Sequence, residues 1–163
     1  MNEKKEYFLK YILLPFLVWT GLVAFDQLTK YIVRAGISPG EVKQITPFFE
    51  LTNLANTGMA FSMLQGANAY FMIFSAAVLA GLAVWFVRNA SVLDKLVKTA
   101  VVLVASGAAG NLIDRAVFGR VTDFLDVYIG RYHWPSFNVA DSCISIGGML
   151  LFLWMLKPSI PRH

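Results

Sequence analysis

The chain has 163 residues, 57% of them hydrophobic and only 15% charged, with a mean hydropathy of +0.59 and a formal net charge of +4 at pH 7. That balance excludes a water-soluble domain, which needs about a quarter of its residues charged. Lipid is the solvent for most of this sequence, and its length supplies about four spans of roughly 20 residues with short connections. Residues 1–163 read as a single polytopic membrane domain.

An N-terminal tail carrying Lys4, Lys5 and Lys10 leads into the first apolar stretch, about 12–33. The opening mimics a signal peptide, but no small-x-small cleavage site follows, and Asp26 and Lys30 sit near the far end. It reads as a retained helix. The first outer segment, about 36–68, holds the turn signals Pro39-Gly40, Pro47, Asn56 and Gly58. Within it the alternation Phe49-Glu50-Leu51-Thr52 predicts a strand, and so a small sheet on the outer membrane face.

The second span, about 69–87, is free of charge, and the third, about 97–115, closes on Asp114 and Arg115. A second outer segment, about 116–137, contains Asp123 in the string VTDF. The fourth span, about 138–156, carries Asp141 as its one charge. The predicted fold is an all-α membrane protein with four transmembrane helices and a small extracytoplasmic β-rich segment between helices 1 and 2.

Basic residues set the orientation. Lys4, Lys5, Lys10, Arg88, Lys95, Lys98, Lys157 and Arg162 fall on one side of the membrane, so both termini are expected in the cytoplasm. Asp26 then lies about 21 Å from the inner end of its helix, at ~1.5 Å per residue. It belongs to the outer leaflet, as do Asp114, Asp123 and Asp141. Carboxylates at a bilayer margin are costly unless paired, protonated or wet, so their convergence marks a site. A proton-coupled carrier would hold such groups near the midplane, and these are too shallow.

The available chemistry is narrow. Cys143 is the only cysteine and lies within an apolar span, where a thiol is ordinarily inert packing. His133 and His163 have no helical ligand spacing, so no metal and no cofactor are expected. A carboxylate-only cation site, and a Ser-Lys arrangement using Lys30, stay open on spacing alone. Two neighbouring carboxylates cannot both ionise cheaply; one keeps its proton, and the pair then holds a base and an acid at one pH. Such a pair can activate a water against a peptide carbonyl.

The strings NTGMAF (56–61), GNLIDR (110–115), VTDF (121–124) and FNVAD (137–141), with Asp26 and Lys30 in the first helix, resemble lipoprotein signal peptidase, also called signal peptidase II. The resemblance runs in order along essentially the whole chain. It implies an aspartic endopeptidase of the bacterial cytoplasmic (inner) membrane that cuts diacylglyceryl-modified prolipoproteins just before the lipid-modified cysteine. Asp123 and Asp141 match the family's catalytic aspartates. Asn56, Gly58, Asn111, Arg115 and Asn138 match positions lining its substrate and inhibitor pocket, where globomycin-type antibiotics would bind. The implied partners are the prolipoprotein and membrane lipids, with no nucleic acid, and the enzyme is expected to act as a monomer. Met59 and Ser62 stand where the family commonly has smaller residues, which bears on substrate preference rather than chemistry.

Spacing supplies physical reasons beside the resemblance. Asn138 and Asp141, three apart, share a face at a helix start, and Asn111 and Arg115 share one four apart. Asp26 and Lys30 at i and i+4 form a favourable pair, and with Asp114 they read as structural support. The run Ser106-Gly107-Ala108-Ala109-Gly110 and the pair Gly147-Gly148 are expected to let helices approach closely.

Overall fold

The computed structural model describes residues 3–57 and 68–157; Gly58, Met59 and Ser62 lie outside the described residues. The first helix is longer than its apolar stretch. Helix α1 (Glu3–Phe8), a π-helical turn (Leu9–Leu13) and helix α2 (Leu14–Gly36) form one continuous rod of 34 residues. Pro15 explains the π turn: its ring has no N–H to give Tyr11, and the ladder widens so that the Leu14 N–H reaches Leu9 instead. The rod ends at Gly36, where Ile37 turns extended three residues before Gly40. Pro39 could not continue a helix there.

Strands β1 (Val42–Thr46) and β2 (Phe49–Asn56) form an antiparallel hairpin across Pro47 and Phe48. Helix α3 (Asn68–Asn89) follows, then α4 (Lys95–Phe118), which Asp94 caps by accepting the Leu96 N–H at 2.7 Å. Gly119 closes α4 in the left-handed region at φ 69°, so the cap is this glycine and not Asp114 or Arg115. Strands β3 (Val121–Ile129) and β4 (Tyr132–His133) precede α5 (Val139–Met155). The four strands lie in the order β1-β2-β3-β4, each pair antiparallel.

The sheet corrects the expectation that β structure is confined between helices 1 and 2. Half of its strands come from the segment between α4 and α5. In β3 the inward residues include Thr122, Asp123 and Asp126 beside Val121 and Phe124, so polar groups interrupt the alternation that would have announced a strand. Among the described residues three helices are long and apolar enough to cross a bilayer: Glu3–Gly36, Ala69–Asn89 and Lys95–Phe118. Helix α5 is apolar but has 17 residues.

Two seams assemble these elements. Val33 and Ile37 at the end of α2 bury with Phe124 of β3, against Leu51, Leu125 and Val139, which seats the sheet on the helices. Along the other seam α4 and α5 approach through glycine. A Cβ at Gly107 would strike the Ala140 carbonyl oxygen, one at Gly110 would stand 2.5 Å from Asp26 Oδ2, and one at Gly147 would stand 2.8 Å from the Ala100 oxygen. With no hydrophobic drive between helices in lipid, such close backbone contact is what holds them. Gly148 is different, with nothing within 4 Å of its Cβ position.

That contrast yields a test. Gly147→Ala should lower stability by about 1–3 kcal/mol through overpacking, whereas Gly148→Ala should be neutral within about 0.5 kcal/mol. Thermal unfolding of the two variants in detergent measures both; equal effects would contradict the glycine seam.

Candidate active site

Strand β3 delivers Asp123 and the first turn of α5 delivers Asp141, and a single residue between them, Asn138, holds both. Its side-chain Nδ2 donates to Asp123 Oδ1 at 2.8 Å, while its backbone N–H donates to Asp141 Oδ2 at 3.2 Å. Its Oδ1 accepts the Asp141 N–H at 2.9 Å, completing a capping box that starts α5. Asn138 has no exposure at all. The remaining carboxylate oxygens are also engaged: Asn56 donates to Asp123 Oδ2 at 2.8 Å, and Asn111 donates to Asp141 Oδ1 at 2.8 Å.

Beneath this pair lies a buried ion network. Lys30 Nζ sits 2.9 Å from Asp26 Oδ2 and 3.5 Å from Asp114 Oδ2, and donates to Asn111 Oδ1 at 3.0 Å. Taking the Asn111 oxygen fixes its amide, so the NH₂ faces Asp141. Asp26 Oδ1 accepts the Ala140 N–H at 2.9 Å, and Asp114 Oδ2 accepts the Thr122 N–H at 2.9 Å. Each carboxylate therefore grips the backbone one residue before Asp141 or Asp123.

The two aspartates differ in how they are lodged. Asp123 is 4% exposed, and burial, reinforced by the charge of Asp141, pushes its carboxyl up to about 6 against the opposing hydrogen bonds from Asn56 and Asn138. Asp141 sits at the N-terminal end of α5, where the helix dipole favours negative charge. Proximity and amide donors on every oxygen describe a pair suited to holding one proton.

Nearly all the residues singled out in the sequence meet here: Asp26, Lys30, Asn56, Asn111, Asp114, Asp123, Asn138 and Asp141. Arg115 stands at the margin, with Nη1 donating to the Asn111 carbonyl at 3.4 Å and its guanidinium 5.5 Å from the Phe71 ring centre. Gly58 falls outside the described residues. The Ser-Lys arrangement finds no support, because the described partners of Lys30 are two carboxylates and an amide.

Sequence reasoning missed Gln27, Arg34 and Thr122. Gln27 Nε2 bridges Asp26, the Gly110 carbonyl and Asp114 at 3.1, 3.0 and 3.3 Å. Arg34 Nη1 lies 3.5 Å from Asp114 and donates to Thr122 Oγ1 at 3.0 Å. A signal for Arg34 existed: Asp26, Lys30 and Arg34 recur every four residues and so share one helix face.

Comparison with known proteins shows the family. A family model described as signal peptidase (SPase) II matches residues 18–157. The lipoprotein signal peptidase of Syntrophus aciditrophicus is 44% identical over 151 residues, covering 89% of this chain and 94% of the relative. That of Solibacter usitatus is 41% identical over 142 residues, covering 84% and 87%. A solved bacterial membrane enzyme superposes with a TM-score of 0.84 at 32% identity, covering 94% of this chain and 95% of its own. Sequence and fold thus agree, and the chain belongs to the signal peptidase II family.

Proposed function

We propose that this protein is an aspartic endopeptidase that removes the signal peptide from diacylglyceryl-modified prolipoproteins, cutting before the lipid-modified cysteine with a water activated by Asp123 and Asp141. Membership of the signal peptidase II family supports the removal of signal peptides from prolipoproteins. The observation that carries the mechanism is the shared clamp: one buried asparagine holds a carboxylate from the sheet and another from a helix terminus.

The ionised carboxylate takes a proton from water as the oxygen attacks the scissile carbonyl. The protonated carboxyl donates to the developing oxyanion, and the protons pass to the leaving amine as the intermediate collapses. Asn56, Gly58, Asn111 and Arg115 line the substrate pocket in this reading, with the fully buried Asn138 directly behind them, and globomycin-type antibiotics occupy the same place. Asn138 and Asn111 keep the carboxylates aimed, while Asp26, Lys30 and Asp114 act as positioning residues through the Ala140 and Thr122 backbone. The reaction uses no cofactor.

The enzyme is a monomer of one polytopic domain in the bacterial inner membrane, with α5 as its fourth span and both termini cytoplasmic. Its sheet and active site lie near the outer leaflet, where water and lipid-anchored substrate both reach. Helix α5 would span about 26 Å at ~1.5 Å per residue, somewhat short of a ~30 Å hydrocarbon core. Local thinning or the flanking residues accommodate that difference.

Asp123→Asn and Asp141→Asn should each lower kcat for a diacylglyceryl-modified prolipoprotein about a thousandfold or more, with unfolding showing both variants folded. Cleavage at the wild-type rate by either folded variant would end the two-aspartate mechanism.

The raised carboxyl of Asp123 has a thermal consequence. The folded state holds a proton that the unfolded chain releases, so the stability tied to this group is complete below about pH 4 and lost as pH rises through about 6. The Tm of the wild type should therefore fall more steeply across this range than that of Asp123→Asn. Parallel curves would contradict a proton held at this carboxyl.

Lys30→Met should cost about 3–5 kcal/mol, because it leaves Asp26 and Asp114 buried without their common cation. Unfolding in detergent gives the loss. If the variant unfolds like the wild type, the ion network is not what positions the pair.

A further inference from the structure

Strands β2, β3 and β4 carry a second group of ionisable side chains that the proposed peptidase chemistry does not use. Glu50 on β2 stands directly opposite Asp126 on β3 in the antiparallel register. Like charges at opposed positions destabilise a strand pair, so this register calls for a cation between them. The group that faces both is His133 on β4, with Nδ1 3.0 Å from Asp126 Oδ1 and 3.9 Å from Glu50 Oε1. A neutral imidazole brings a lone pair and no charge, which leaves the two carboxylates without a cation but completes a set of metal donors.

The donors are arranged for that use. One atom from each of Glu50, Asp126 and His133 lies within 4.8 Å of the others. Zinc binds imidazole nitrogen and carboxylate oxygen at about 2.0–2.2 Å, so its ligand atoms stand roughly 3.4 Å apart. The Asp126–His133 distance is already inside that spacing, and rotation of the Glu50 side chain closes the rest.

Neighbouring residues hold the donors in place. The imidazole stacks on the Tyr128 ring with centres 4.9 Å apart and planes 17° apart. The Tyr128 hydroxyl accepts from Gln44 Nε2 at 2.6 Å and donates to the Thr46 carbonyl at 3.3 Å, so the ring that braces His133 is itself fixed. Ser136 Oγ donates to Asp126 Oδ2 at 3.3 Å, leaving Oδ1 to face His133. Such outer contacts orient ligands in metal sites.

We propose that Glu50, Asp126 and His133 bind a divalent transition-metal ion of the zinc class, which joins β2, β3 and β4. The site is structural: it stiffens the strand that carries Asp123 and takes no part in cleavage. An imidazole ligand favours such an ion over magnesium or calcium, which prefer all-oxygen shells.

Purified full-length protein stripped with a chelator should take up one equivalent of zinc by isothermal titration and gain several degrees in Tm, while magnesium produces neither effect. His133→Ala and Glu50→Gln should each weaken zinc uptake tenfold or more while still cleaving prolipoprotein, which shows them folded. Asp123→Asn should keep the full equivalent, separating this site from the proposed catalytic pair. Zinc uptake unchanged in His133→Ala and Glu50→Gln, or lost in Asp123→Asn, would overturn the proposal. So would a Tm that rises on acidification without any metal uptake, since that would make His133 simply the protonated partner of the two carboxylates.

Discussion

Lys30 carries its ammonium to a point with no exposure, where Asp26 and Asp114 share it. Taking a charge out of water costs several kcal/mol, and only close counter-charges and hydrogen bonds offset it. Here the counter-charges come from different helices, so α2 and α4 must meet in one register for Lys30 to be tolerated at all. The same two carboxylates also accept the backbone N–H groups of Ala140 and Thr122, each one residue before an aspartate of the proposed pair. An electrostatic demand made by one lysine thereby fixes the backbone at both halves of the site.

Close helix approach is what makes that arrangement reachable. Asp26 can reach the Ala140 N–H past α4 because Gly110 presents no side chain, and a Cβ there would stand 2.5 Å from its carboxylate. Gly107 likewise leaves room for the Ala140 carbonyl. The start of α5 is drawn against α4 and α2 at the level where Asn138 caps the helix. Asn138 serves two demands with one amide: its oxygen satisfies an orphan N–H of α5, and its NH₂ reaches across to the sheet. An aspartate there would cap as well, but it would place a third carboxylate beside Asp123 and Asp141.

Much of this was legible in the sequence where the signal was local. Long apolar runs announced α2, α3 and α4, and the alternation Phe49-Glu50-Leu51-Thr52 announced β2, since each is a local pattern. The gathering of Asp26, Lys30, Asn56, Asn111, Asp114, Asp123, Asn138 and Asp141 followed from recurring motifs and from the cost of charge in lipid. Strand β3 was not legible, because its identity rests on pairing with β2 some 70 residues earlier in the chain and because it turns Thr122, Asp123 and Asp126 inward. The same departure from alternation that hid the strand supplies the site with its carboxylate. Helix α4 runs past the span read from the sequence to Phe118 because Gly119, with its left-handed backbone, ends it rather than the first charge it meets.

The charge balance of the whole cluster bears on why the proposed pair would keep a proton. Four carboxylates, Asp26, Asp114, Asp123 and Asp141, share the region with three cations, Lys30, Arg34 and Arg115. Fully ionised, the set holds one uncompensated negative charge in a largely dry setting, and one bound proton removes it. Where that proton resides is decided by neighbours. Asp26 and Asp114 each have an ammonium or guanidinium within 3.5 Å. The direct partners of Asp123 and Asp141 are instead the neutral amides of Asn56, Asn111 and Asn138. Amide donors favour the charged form of a carboxylate less strongly than a directly paired cation does. The direct ion pairs of Lys30 and Arg34 go to the supporting acids, and in the proposed mechanism the proton stays with Asp123 and Asp141.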